Sequence, residues 1–141
     1  VPLTLAQSIP MTGAVVVCTP QDVALQDARR AVQMYRALNV PSLGIIENMS
    51  YYVCPKCGNR DEIFDHGGAE EAAGALGVPF LGALPLNGAI RRFCDDGRPD
   101  KCFTDAGDRV AAGLDAVVAG TLAQIEQHHT AGASGPTLTI E

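Results

Sequence analysis

Tryptophan is absent from the 141 residues, and tyrosine and phenylalanine bring the aromatic share to only 5%. Stacking platforms for single-stranded nucleic acid are therefore poorly supplied, and the core must be aliphatic. Positive charge is scarce as well: ten Lys and Arg stand against sixteen Asp and Glu, a net charge of −6 at pH 7. Such a surface repels a polyphosphate backbone or an anionic bilayer, so neither nucleic acid nor membrane is expected as a partner. No apolar run approaches the roughly 18 residues of a spanning helix. The opening VPLTLAQSIP has neither the basic start nor the apolar middle of a secretory signal, and a cytoplasmic chain is expected. Its five cysteines, Cys18, Cys54, Cys57, Cys94 and Cys102, are an odd number without that signal. That argues against a disulfide framework and for reduced thiols.

What is there suffices for one core: 47% of residues are hydrophobic and 18% charged. Three continuous apolar runs, Ala14 to Cys18, Leu43 to Ile46 and Phe80 to Leu84, read as strands covered on both faces. Between them lies a helical pattern from Asp22 to Leu38, with Leu25, Ala28, Val32, Tyr35 and Leu38 on one face, Thr19 as cap and Pro20 in the first turn. A second helix is expected from Ala69 to Leu76, stopped by Gly77, and a third from Gly88 to Cys94, capped by Asn87. A fourth and longest is expected from Thr104 to Gln127. Strands alternating with helices argue for right-handed parallel crossovers in an α/β layer. The expected division is an α/β domain over residues 1–129, with a metal loop at about 50–66, and a disordered tail over residues 130–141, whose composition is small and polar.

The strongest chemical signal is YYVCPKCG, which places Cys54 and Cys57 two residues apart and Gly58 behind them. In such a turn both sulfurs face one ion, and the glycine lets the backbone curl so that amides face the thiolates. A redox dithiol would open a helix, which the sequel GNRDEIFDHGG does not favour; a pair without ligand stays open. Two thiolates leave a tetrahedral site incomplete. The remainder comes either from Cys94 and Cys102 of the same chain or from Cys54 and Cys57 of a second copy. DHGG, Asp65 to Gly68, reads as a tight turn more readily than as an anion cradle, and His66 as a solvated loop residue. The loops CTPQD, ENMS and PLNGAI follow the three strands and share the rim where open parallel sheets bind ligands. On that rim Pro85 reads as a turn residue, while the Asn48 carboxamide, both donor and acceptor, suits a purine edge.

Taken together, TGAVVVCTPQDVALQDARRAVQMYRALNVPSLGIIENMSYYVCPKCG and IFDHGGAEEAAGALGVPFLGALPLNGAIRR resemble the C-terminal portion of the Mrp/ApbC family of P-loop iron-sulfur cluster carriers, relatives of MinD. The resemblance implies a partial doubly wound parallel sheet, three strands with flanking helices, forming the C-terminal half of a P-loop NTPase fold. It implies a homodimer holding a bridging [4Fe-4S] cluster through paired CxxC motifs, with Cys54 and Cys57 as its ligands and apo iron-sulfur proteins as recipients. It also implies that Asn48, Pro85 and Leu86 lie against the adenine of ATP. The chain departs from the family in having no G-K-G-G-x-G-K-[ST] loop and no D-x-P-P-G-x-x-D segment. ATP and Mg²⁺ are therefore expected only where an upstream half supplies them, and ATP hydrolysis by this chain alone is not expected. With Val1 at its start, it is expected to be part of a longer enzyme, and its first strand to present an unpaired apolar edge that drives self-association. The alternatives are a structural zinc knuckle using Cys54, Cys57, Cys94 and Cys102, and a non-functional truncation.

Overall fold

The computed structural model describes residue 4 and residues 8–131. In chain order the elements are β1 (Ala14–Cys18), α1 (Asp22–Ala37), β2 (Ser42–Glu47), β3 (Tyr52–Val53), β4 (Arg60–Asp61), α2 (Gly68–Leu76), β5 (Phe80–Ala83), α3 (Gly88–Asp95), a 3₁₀ turn (Pro99–Cys102) and α4 (Asp108–Ala131). β1, β2 and β5 pair in parallel in that order, with β2 central, so the expected three-stranded α/β layer is formed. β3 and β4 make a separate antiparallel hairpin between β2 and α2.

The central strand explains its own sequence. From Leu43 to Ile46 every residue of β2 is buried, which requires that none carry a polar side chain on either face. On one face Val16, Cys18 and Ile45 meet Leu25, Ala28 and Val32 of α1 and Ala69 and Ala73 of α2. On the other, Val117 of α4 closes over Ile46 and Leu81, with Val15 and Leu84 at the margin. Full burial of Ile45 and Val32 contributes about 1.5–3 kcal/mol each. β1 differs from the expectation of two covered faces: its residues alternate, and Val17 is 57% exposed. The reason is coverage. α4 packs chiefly on β5 and β2, while α1 covers only the other face of β1, an edge strand among the described residues.

Two caps follow the sequence, and one does not. Asn87 Oδ1 accepts from the Ala89 N–H at 2.7 Å and opens α3, and Gly77 ends α2 in the left-handed conformation. Thr19, expected to cap α1, instead donates its hydroxyl to Gln21 Oε1 at 2.8 Å; Gln21 occupies the cap position and makes no side-chain cap bond. α4 starts at Asp108 and continues through Thr130 and Ala131, the first two residues of the expected tail; residues 132–141 lie outside the described residues. No helix among the described residues is long and apolar enough to cross a membrane.

Candidate functional site

The cysteine pair sits at the tip of the β3–β4 hairpin, whose register pairs Tyr52 with Asp61 and Val53 with Arg60. The tip closes tightly: the Cys54 N–H donates to the Asn59 carbonyl at 2.9 Å, and the Gly58 N–H to the Cys54 carbonyl at 2.8 Å. Gly58 has φ of 72°, a left-handed conformation that costs glycine nothing, and it permits the curl. As a result the Cys57 and Lys56 amides, and then the Cys57 thiol, hydrogen-bond the Cys54 sulfur and hold its pKa below the ordinary thiol range. Cys54 is half-buried and Cys57 exposed. This is a thiol whose thiolate form has its donors already in place, beside a second sulfur open to solvent.

Among the described residues no three His, Cys, Asp or Glu side chains converge on a point that could hold a metal ion. Cys54, Cys57, Cys94 and Cys102 are therefore not gathered at one point in this structure. Cys102 lies buried, and burial first, then the neighbouring Cys94, raises its pKa, so these two thiols attend to each other rather than to the hairpin.

The roots of the hairpin are tied to the sheet. Ser50 N–H donates to the Leu84 carbonyl at 3.0 Å and Leu86 N–H to the Tyr51 carbonyl at 2.7 Å, while Tyr52 and Leu86 form a parallel bridge. The Arg60 guanidinium lies 4.3 Å from the centroid of the Tyr51 ring. Beneath them is Glu47, the last residue of β2, with no solvent exposure. Its Oε1 accepts from Ser50 Oγ at 2.5 Å and from the Gly67 N–H at 2.9 Å, and its Oε2 from the Ala69 N–H at 2.8 Å. His66 Nδ1 contacts Ser50 Oγ and lies 3.4 Å from Oε1. Burial alone would push the Glu47 carboxyl up, but the bonds from Ser50, Ala69 and Gly67, and the His66 charge, hold it below the ordinary range.

Two clefts share Pro85, Leu86 and Asn87 as lining. Asn48, Pro85 and Leu86, the residues singled out for a nucleotide base, line one cleft of about 340 Å³ together with Met49, Ile90 and Cys94. Asn48 Oδ1 accepts from the Met49 N–H at 2.9 Å, which engages one lone pair of the oxygen and orients the amide with its N–H groups as donors. Cys54 lines the other cleft, of about 360 Å³, with Pro85, Leu86 and Asn87 on one side and Asp108 and Arg109 of α4 on another.

Thus the fold brings Asn48 to Pro85 and Leu86, and sets Cys54 across the same segment. Sequence reasoning missed Glu47, Ser50 and His66. The DHGG loop does present amides to an anion, but that anion is the protein's own Glu47; and His66, read as solvated, is engaged on one side. The signal was present in a glutamate closing an apolar strand, since a buried carboxylate needs donors and a glycine pair before a helix supplies them.

A family model described as the ParA family, NUBPL iron-transfer P-loop NTPase, matches residues 1–120. The chain is 48% identical over 122 residues to the iron-sulfur cluster carrier protein of Escherichia coli K12, covering 79% of this chain and 33% of the relative. It is 48% identical over 97 residues to the iron-sulfur cluster transfer protein NUBPL of Dictyostelium discoideum, covering 69% and 30%. Among solved structures, a nucleotide-binding protein from Archaeoglobus fulgidus in complex with ADP superposes with a TM-score of 0.64 at 32% identity, over 77% of this chain and 43% of that one. The chain spans about a third of the length of these curated relatives. By the extent of the family match and its agreement with the parallel sheet, the chain belongs to the ParA/NUBPL family of iron-transfer P-loop NTPases.

Proposed function

We propose that this chain is the cluster-bearing portion of an iron-sulfur cluster carrier, in which Cys54 and Cys57 bind the cargo and release it to apo iron-sulfur proteins. The observation that carries the reading is the hairpin tip. Two thiols are presented at the surface, Cys54 is stabilised as thiolate by the Cys57 and Lys56 amides, and no third ligand stands near them among the described residues. Thiolates are what iron-sulfur clusters require, and a [4Fe-4S] cluster takes four. Two copies related by a two-fold axis, each contributing Cys54 and Cys57, supply that number, so the carrier is a homodimer with the cluster at its interface. Held by exposed tips, the cluster leaves when the thiolates of a recipient replace those of the carrier one by one.

Asn48, Pro85 and Leu86 suit the base of a nucleotide: apolar side chains for its faces and a carboxamide donor for a ring nitrogen. The residues of this chain fit the base but not the phosphates, for which it has no glycine-rich loop. ATP with Mg²⁺ accordingly acts only together with a phosphate-binding half, as regulator rather than as reactant on this chain. A carrier with exposed reduced thiols works in a reducing compartment, here the cytoplasm.

Anaerobic reconstitution with iron and sulfide, followed by iron, sulfide and zinc analysis of sized fractions, tests the reading. A brown dimer holding about four iron per two chains, lost in Cys54→Ala with Cys57→Ala, is expected. Zinc at one per chain, or iron retained in the double variant, overturns it.

A further inference from the structure

Glu47 and Ser50 are the polar side chains fully buried among the described residues, and neither takes part in holding the cargo. Their bonding leaves little freedom. The carboxylate, held in its charged form, only accepts, and the single proton of Ser50 is spent on Glu47 Oε1. Ser50 Oγ therefore meets His66 Nδ1 with a lone pair, and Nδ1 must carry the hydrogen. A directed chain results, from the His66 N–H to the Ser50 hydroxyl to the Glu47 carboxylate. The neighbouring Gly67 and Ala69 amides complete it, and the Asp65 carboxylate fixes the His66 N–H of the backbone at 2.8 Å.

The placement of this chain in the fold gives it meaning. Ser50 directly precedes Tyr51 and β3, where the backbone enters the cysteine hairpin; His66 lies on the segment by which it returns from β4 to α2. Both roots of the hairpin are thus fastened to one buried carboxylate at the end of the central strand. Tyr51 adds to the fastening, with its ring edge-on to His66 and its face under Arg60.

We propose that Ser50 and His66 are positioning residues, which through Glu47 clamp both roots of the hairpin and so set how Cys54 and Cys57 are presented to metal. The proposal rests on the reading of that pair as ligands. Groups that orient ligands through hydrogen bonds without touching the metal typically change affinity by about 10–100-fold when removed.

The test is an anaerobic Co²⁺ titration of the full chain, followed by the thiolate-to-cobalt absorption, with melting curves and hydrogen exchange of the amides of residues 52–61. The variants are Ser50→Ala, His66→Ala, His66→Asn, and Cys54→Ala with Cys57→Ala. Asparagine keeps a donor N–H near the Nδ1 position and should rescue. The expected result is cobalt affinity weakened about tenfold or more and faster hairpin exchange in both alanine variants, with His66→Asn near wild type. Unchanged affinity and exchange in the alanine variants overturns the clamp. So does a loss shared by His66→Asn that follows the loss of melting temperature, since that marks a merely structural role. If the double cysteine variant binds cobalt as wild type does, the ligand reading fails by itself. The clamp is then judged on exchange: faster exchange rescued by asparagine keeps it, and unchanged exchange overturns it.

Discussion

At Glu47 burial and hydrogen bonding pull in opposite directions, and the outcome fixes how stability responds to acid. Burial disfavours the charge, yet the Ser50, Ala69 and Gly67 donors and the His66 charge prevail, so the folded pKa lies below that of the unfolded chain. A carboxyl with a depressed folded pKa contributes stability above its unfolded value of about 4.3, and loses it as pH falls through the folded value. Glu47→Gln should therefore be less stable than wild type by about 2 kcal/mol at pH 7, because a hydrogen-bonded charge is removed from a buried site. The difference should shrink as both proteins are acidified below pH ~4. Thermal melts of the two proteins at neutral and acid pH check this; a difference that stays constant with pH would contradict it. The residues of the hairpin tip were legible in sequence because CxxC followed by glycine is a short local pattern whose chemistry does not depend on distant contacts. Glu47, Ser50 and His66 were not, because their meaning arises only when residues sixteen to twenty-two positions apart are folded together.

Among the elements, α3 depends visibly on one residue. It is eight residues long, buries none of them fully, and begins at a single side-chain cap, Asn87. A helix this short has little intrinsic stability, so Asn87→Ala should cost about 1 kcal/mol, read as a lowered melting temperature; Asn87→Asp, which keeps the acceptor, should not. The helices were largely legible, since their 3.6-residue periodicity and their glycine and asparagine stops are written locally. Strand β1 was only half legible. AVVVC is continuously apolar, yet Val15 and Val17 lie on the face that α4 leaves less covered, and no count of apolar residues reveals which strand a distant helix will cover. β3 and β4 escaped notice for a different reason: at two residues each they carry no periodicity at all.

On the scale of the whole molecule, β1 forms an edge among the described residues and presents Val17 at 57% exposure. An apolar edge strand invites pairing with another chain. Concentration-dependent association is therefore expected in sedimentation velocity, and Val17→Lys should reduce it while leaving the melting temperature near wild type; association unaffected by the substitution would assign it to another surface. The two clefts have a further consequence. Pro85, Leu86 and Asn87 are the common boundary between the compartment of Asn48 and that of Cys54, and Leu86 is bonded to the strand entering the cysteine hairpin. Occupants of the two compartments would touch the same three residues, and thermodynamics then allows no one-way influence. Whatever factor a guest beside Asn48 imposes on affinity at Cys54, a guest at Cys54 returns in equal measure.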